Sequence, residues 1–220
     1  MDLSIFEVLG PVMIGPSSSH TAGAAKLARA AAAIAAKPFF KVRFALSGSF
    51  AKTGVGHGTH EALLAGAMGL REDDERLRAA DRLALKKGIA WEFCECELEA
   101  AHENTVRFTF FCEDGTEARI TGSSLGGGRI LITEIDGLKT EITTEQPTIV
   151  VEQNDKPGVV SAISRVLAEQ GINIGVMRVS RTAKGETAAC VIETDSPVPQ
   201  KVAEQLCGLA NVCTVRIVEG

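Results

Sequence analysis

The sequence predicts an α+β fold arranged as two domains. Three observations carry that prediction. Helix-period and strand-period segments alternate over residues 21–88, a series of strand-like segments follows over 89–137, and residues 148–220 read in the order β-α-β-β-α-β. A chain of 220 residues, 45% hydrophobic and 23% charged, has the composition of a globular protein that builds a core.

Taken in order, "TAGAAKLARAAAAIAA" (21–36) is alanine-rich and free of internal proline, hence a helix, and Pro38 stops it. "FFKVRFALSG" (39–48) alternates like a half-buried strand. A glycine-rich loop, "GSFAKTGVGHGTH" (48–60), leads into a helix over 61–70. "DDERLRAADRLALKKG" (73–88) opens on acids and closes on Lys86, Lys87 and Gly88, the order that the helix dipole favours. Strands follow in "IAWEFCECEL", "NTVRFTFFCEDG", "TEARITGSS" and "RILITEIDG", the last ending in a D-G turn. Polar residues meet a proline at "TTEQP" (143–147), which places a domain border there: 1–146 and 147–220. In the second domain "TIVVEQN" is a strand and "KPGVVSAISRVLAEQG" an amphipathic helix. "INIGVMRVSRTAKGETAACVIET" is a strand pair around A-K-G-E, "PVPQKVAEQLCGL" a short helix and "NVCTVRIVEG" a last strand.

The net charge of -5 argues against a nucleic-acid backbone as partner. No apolar run approaches the ~20 residues that cross a bilayer, and the alanine run at 30–36 is flanked by Arg29 and Lys37. Asp2 and Glu7 interrupt any leader-like apolar stretch, so the reading is a cytoplasmic protein without a membrane partner. The six cysteines, Cys94, Cys96, Cys112, Cys190, Cys207 and Cys213, include no C-x-x-C pair and read as reduced thiols.

Polar chemistry concentrates in three places. "GPSSSHT" (15–21) sets a turn with Gly15 and Pro16, then brings Ser17, Ser18, Ser19, His20 and Thr21 to the start of a helix. Unpaired first-turn amides and added hydroxyls suit a carboxylate or a phosphate, and one serine would be enough for a cap. "GSFAKTGVGHGTHEAL" adds Lys52, Thr53, His57, Thr59, His60 and Glu61 amid glycines. Two histidines three apart make no metal site without a third ligand, so His57 and His60 read as polar site residues. "GSSLGGGRI" (122–130) permits close backbone approach but is no dinucleotide fingerprint.

"IGPSSSHT", "GSFAKTGVGHGTHEA" and "GSSLGGGRI", in this order, closely resemble the beta subunit of bacterial iron–sulfur-dependent L-serine dehydratase. Related allosteric-substrate-binding domains occur in some phosphoglycerate dehydrogenases, joined there to a nucleotide-binding domain. The last domain resembles the ACT domain, a ferredoxin-like regulatory module, through its D-K-P-G turn (155–158), the helix after it and G-I-N-I (171–174). Across the whole chain the resemblance implies a serine dehydratase beta-type domain followed by an ACT domain, and a lyase that turns L-serine into pyruvate and ammonia. It implies a [4Fe–4S] cluster ligated by an alpha subunit rather than by this chain, and no metal on this chain. Ser17, Ser18, Ser19, His20 and Thr21 would hold the substrate, helped by Lys52 and His60, while His57 and Thr59 would face the reacting atoms; His20 and His57 are both candidate bases. The family often has aspartate where His60 stands. In the ACT domain, Asn154, Asp155, Pro157, Gly158 and Asn173 would form a regulatory ligand site, or Asn154 and Asp155 would only cap the helix, and the domain would dimerise. A serine sensor without catalysis, or a dimeric scaffold, would use the same residues.

Overall fold

The alanine-rich segment expected as one helix opens with a different turn. In the computed structural model, which describes residues 12–98 and 102–218, Ser18–Ala22 form a π turn and the α-helix proper, α1, runs over Gly23–Ala35. Strand β1 (Phe39–Gly48) follows as expected. The segment expected as a glycine-rich loop is partly helical: α2 spans Ser49–Thr53 and a 3₁₀ turn spans Val55–His57. Phe50, fully buried, anchors α2, and the glycines that suggest a loop stand only at its ends. Helix α3 covers Thr59–Ala67. The next expected helix is split into a 3₁₀ turn, Glu75–Ala79, capped by the Asp74 side chain, and α4, Ala80–Lys86.

Strands β2 (Ala90–Glu95), β3 (Asn104–Cys112), β4 (Glu117–Gly126) and β5 (Arg129–Ile135) complete a sheet in which the order runs β2-β1-β3-β4-β5, and β6 (Leu138–Ile142) follows. β1 and β2 run parallel, with the three helices between them in sequence, and β1–β3, β3–β4 and β4–β5 are antiparallel. The triple glycine is the β4–β5 turn, since Gly127 and Gly128 both have the positive φ that a two-residue hairpin turn of type I′ demands. Asp136 and Gly137 make the next turn in the same way, and they lead into β6, a strand that the sequence analysis does not predict.

The chain divides into two compact units, Met1–Asp136 and Gly137–Gly220. In the second, β7 (Thr148–Asn154), α5 (Val159–Glu169), β8 (Ile174–Arg181), β9 (Thr187–Thr194), α6 (Gln200–Cys207) and β10 (Val212–Val218) form a sheet ordered β10-β7-β9-β8. This is the ferredoxin-like order expected from the sequence. Its core joins Ile149, Val151 and Ile192 of the sheet to Ile163 and Leu167 of α5 and Leu206 of α6. The polar segment 143–147 lies between β6 and β7.

In the first unit the helices cover one face of the sheet. Leu27 of α1 sits over Gly122 of β4, where a Cβ would meet its Cδ1 at 2.8 Å. On its other side α1 presents alanines to α3, so the two helices approach closely at Gly66. A Cβ on Gly66 would run into the Ala25 carbonyl oxygen and lie 2.9 Å from Ala28 Cβ. We expect Gly66→Ala to destabilise the protein by about 1–3 kcal/mol in chemical denaturation, because overpacking outweighs the ~1 kcal/mol that alanine gains in a helix. A variant as stable as the parent would contradict this packing.

Candidate functional site

The serine turn is held by its own residues. The Ser17 carbonyl accepts from the Thr21 amide at 2.9 Å and from the Ala22 amide at 3.2 Å, the widened spacing of a π turn. The Ser17 hydroxyl accepts from the His20 amide at 3.1 Å, so this serine is the cap. Ser19 Oγ lies 3.3 Å from Ser17 Oγ and 3.1 Å from His20 Nδ1. Several of the donors expected for an anion are thus engaged inside the turn. The third motif reaches this turn through one side chain: Ser124 of β4 donates to the Ser19 carbonyl at 2.9 Å. A Cβ on Gly23 would collide with the Ser124 hydroxyl, so glycine is required at the first position of α1.

His20 and His57 come together with their rings 5.1 Å apart. His20 is engaged at both ring nitrogens: Nδ1 meets Ser19, and Nε2 meets Ser49 Oγ and Thr53 Oγ1, each at 3.1 Å. Phe50 packs edge-on against its ring at 5.2 Å. Burial, and secondly the neighbouring His57, hold His20 below the ordinary imidazole range, against an upward pull from its hydrogen bond with Ser49. His57 differs. Its Nδ1 lies 3.1 Å from the Thr53 carbonyl oxygen, which can only accept, so Nδ1 carries the proton and Nε2 of the neutral ring keeps a lone pair. The Thr21 hydroxyl donates to the His57 carbonyl at 2.9 Å and ties the two turns together.

The other expected residues scatter. Lys52 is exposed on α2. Thr59 is fully buried at the start of α3, its hydroxyl without a hydrogen-bond partner, so it is shielded from solvent instead of lining an open surface. His60 stacks on Phe93 of β2 with centroids 3.9 Å apart, and burial lowers its pKa against a smaller upward pull from Glu61. Ser49, Thr53 and Ser124 contribute more contacts than the sequence analysis assigns to them. The pairing of Ser49 and Thr53 four residues apart is visible only once residues 49–53 are known to be helical.

Beside this cluster lies a cavity of about 340 Å³. Thr21 and His57 line it together with Glu61, which the second polar motif includes, and Arg78, which no motif points to. Ile14, Pro16 and Leu77 supply apolar wall. Among the described residues no three His, Cys, Asp or Glu side chains come together as a metal site. Cys94 stands on β2 and Cys96 just beyond it, Cys112 is buried in the first unit, and Cys190, buried, with Cys207 and Cys213, both exposed, belongs to the second. The residues of this chain therefore do not fit a [4Fe–4S] cluster, which takes three or four converging thiolates.

In the second unit Asp155 accepts from Arg181 Nη1 at 2.8 Å and from the Gly185 amide at 3.0 Å, the amide being the larger cause of its lowered pKa. Asn173 Nδ2 donates to Asp195 at 2.7 Å. The cap of α5 is Gly158, at φ 91°, with no side-chain cap bond. Asn154 and Asp155 therefore do not cap that helix, and Asp155 braces the β8–β9 hairpin instead. Pro157 precedes the cap glycine, and the Asn154 amide pairs with the Asn211 carbonyl.

The first unit is thus a helix-backed sheet that carries a histidine pair, and the second has the ferredoxin-like strand order. Comparison with known families makes this specific. The serine dehydratase beta chain family matches residues 4–134 and the ACT domain family residues 148–211. The chain is 40% identical over 212 residues to a probable L-serine dehydratase beta chain of Bacillus subtilis, covering 96% of each. It is 36% identical over 219 residues to the L-serine dehydratase beta chain of Peptoniphilus asaccharolyticus, covering 99% of each. A D-3-phosphoglycerate dehydrogenase of Mycobacterium bovis matches at 23% identity over 67% of this chain and 28% of that protein. The chain belongs to the serine dehydratase beta-chain family, the beta subunits of a lyase, L-serine ammonia-lyase. Among the described residues no helix is long and apolar enough to cross a membrane.

The lowered pKa values of His20 and His60 have a measurable consequence. Both imidazoles should titrate below the ordinary 6.5 in an NMR pH series of the folded chain. As pH falls below 6.5 the unfolded chain takes up protons that the folded chain resists, so thermal stability should decline through that window. A His20 that titrates at or above 6.5 would contradict the buried, hydroxyl-bound ring.

Proposed function

We propose that this chain supplies the acid–base and substrate-positioning half of the L-serine dehydratase site, completed by an alpha subunit that carries a [4Fe–4S] cluster. One observation carries the assignment of the base: the Thr53 carbonyl fixes the Nδ1–H tautomer of His57, which leaves Nε2 free on a residue that lines the cavity. In this reading His57 Nε2 takes the α-proton of L-serine, the Cβ–O bond breaks, and the departing hydroxide takes up that proton to leave as water, giving aminoacrylate. Tautomerisation and hydrolysis then give pyruvate and ammonia. Loss of the hydroxyl needs an electrophile, which comes from the alpha subunit's cluster and not from any group on this chain. His20, held by Ser19, Ser49 and Thr53, keeps the second imidazole neutral and fixed beside the first. Ser17, Ser18, Ser19 and Thr21 shape the substrate side of the turn.

We assign residues 1–146 to the dehydratase domain and 147–220 to the ACT module, place the enzyme in the cytoplasm, and expect ACT modules to pair through the open edges of their sheets at β8 or β10. A sensing role is the second reading. It is favoured by the partial match to D-3-phosphoglycerate dehydrogenases, in which a related segment accompanies a different reaction.

Two experiments separate the readings. With the alpha subunit and reconstituted cluster, His57→Ala should lower turnover ~100- to 10,000-fold with folding and subunit association intact. Persistence of full activity at saturating serine, with loss only of cooperativity, would favour the sensor. The isolated chain should be colourless and inactive toward serine. Iron–sulfur absorbance that survives a Cys94→Ser, Cys96→Ser control would place the cluster on this chain and overturn the two-subunit arrangement.

A further inference from the structure

The cavity beside His57 carries two opposite charges that do not satisfy each other. Glu61, in the first turn of α3, and Arg78, in the 3₁₀ turn before α4, both line it. Both side chains are exposed, and no ion pair or hydrogen bond joins one to the other. Across the rest of this unit, acids and bases pair readily: Lys37 with Asp114 at 2.8 Å, Lys41 with Glu92 at 2.9 Å, Arg76 with Asp74 at 2.6 Å. A separated carboxylate and guanidinium on one cavity wall are complementary to a molecule that carries both charges itself. His57 and Thr21 are the other polar side chains on the wall, and Ile14, Pro16 and Leu77 make it apolar elsewhere.

We infer that Arg78 and Glu61 form a zwitterion clamp, in which Arg78 holds the α-carboxylate and Glu61 the α-ammonium group of a small amino acid. The identity of that amino acid as serine, and only that, rests on the lyase reading above. The serine turn cannot take the carboxylate role in full, because the Ser17 hydroxyl and the amides of His20, Thr21 and Ala22 are already bonded within it. A guanidinium offers a carboxylate two parallel donors, and the separation of the charges sets which end of the ligand faces His57. At about 340 Å³ the cavity is near the lower end of the roughly 300–1,000 Å³ of small-molecule sites, which favours a short side chain. The clamp thus selects α-amino acids over hydroxy acids and amines, whether the bound molecule is a substrate or an effector.

The test uses the full chain, alone and assembled with its alpha subunit, and three probes: L-serine, its methyl ester, and 3-hydroxypropanoate. The ester lacks the carboxylate and the acid lacks the ammonium group. Binding is read from the His57 ring resonances of the chain alone and from KM or inhibition constants in the assembled enzyme. We expect the parent to prefer serine to both analogues. Arg78→Gln should weaken serine ~10- to 100-fold and leave the ester unchanged, so the preference over the ester vanishes. Glu61→Gln should abolish the preference over 3-hydroxypropanoate and leave that probe unchanged. If both variants keep serine affinity and KM within twofold, or weaken all three probes equally, the clamp is overturned, while a turnover loss in His57→Ala would still stand for the lyase reading. If the probe-specific pattern appears but His57→Ala retains turnover, the clamp holds and the catalytic role of His57 fails.

Discussion

The site depends on how closely α1 and α3 can approach. Each helix begins at the site: the π turn that holds His20 runs into α1, and the turn that holds His57 runs into α3. Ala25, Ala28 and Gly66 leave no side-chain bulk where the helices touch, so their backbones nearly meet. Buried Leu27, Ile34 and Leu63 then supply the apolar area that keeps the pair on the sheet. With the helix bodies fixed, their first turns are fixed as well, and two imidazoles from separate motifs stand 5.1 Å apart. The alanine-rich composition of 21–36, which by itself signals only helix propensity, is thus a packing requirement of the site.

A few hydrogen bonds convert that proximity into defined geometry. Ser124 reaches from β4 to the Ser19 carbonyl, and only a glycine at position 23 leaves room for it. Thr21 closes the gap to the His57 carbonyl. Gly48, at φ 62°, turns the chain from β1 into α2 and lies so close to the Glu103 backbone that no other residue fits. These contacts bring the three polar motifs of the sequence together, and each uses a small or hydroxyl-bearing side chain for a specific steric or bonding reason.

Much of this architecture was legible from residue patterns. The helix over 21–36, strand 39–48 and the βαββαβ order of the second domain follow from periodicity, and the three motifs converge in one region of the fold. What stayed hidden has physical causes. The helix at Ser49–Thr53 is too short for periodicity and is masked by glycines that act only at its ends. The tertiary stack of His60 on Phe93 pairs residues from α3 and β2, which no local pattern connects. Arg78 reads as an ordinary helix charge until the 3₁₀ turn places it on the same cavity as Glu61 at the start of α3. Asp155 has the residue type and position of a helix cap, yet the left-handed Gly158 takes that place and frees the carboxylate for Arg181 and Gly185.

Thr53 is what makes the two histidines unequal. Its carbonyl oxygen accepts from His57 Nδ1 and its hydroxyl meets His20 Nε2, so one residue contacts both rings through groups of different capacity. A carbonyl cannot donate, which forces one tautomer on His57 and strengthens its bond if that ring becomes charged. The Thr53 hydroxyl donates to the Ser49 carbonyl at 2.9 Å, so it can only accept from His20 Nε2. Burial and the nearby His57 ring disfavour the charged form of His20. The two rings therefore differ: His20 is bonded at both nitrogens, whereas His57 keeps Nε2 free on a residue that lines the cavity. That asymmetry arises from the place of residue 53, whose carbonyl faces one ring and whose hydroxyl faces the other.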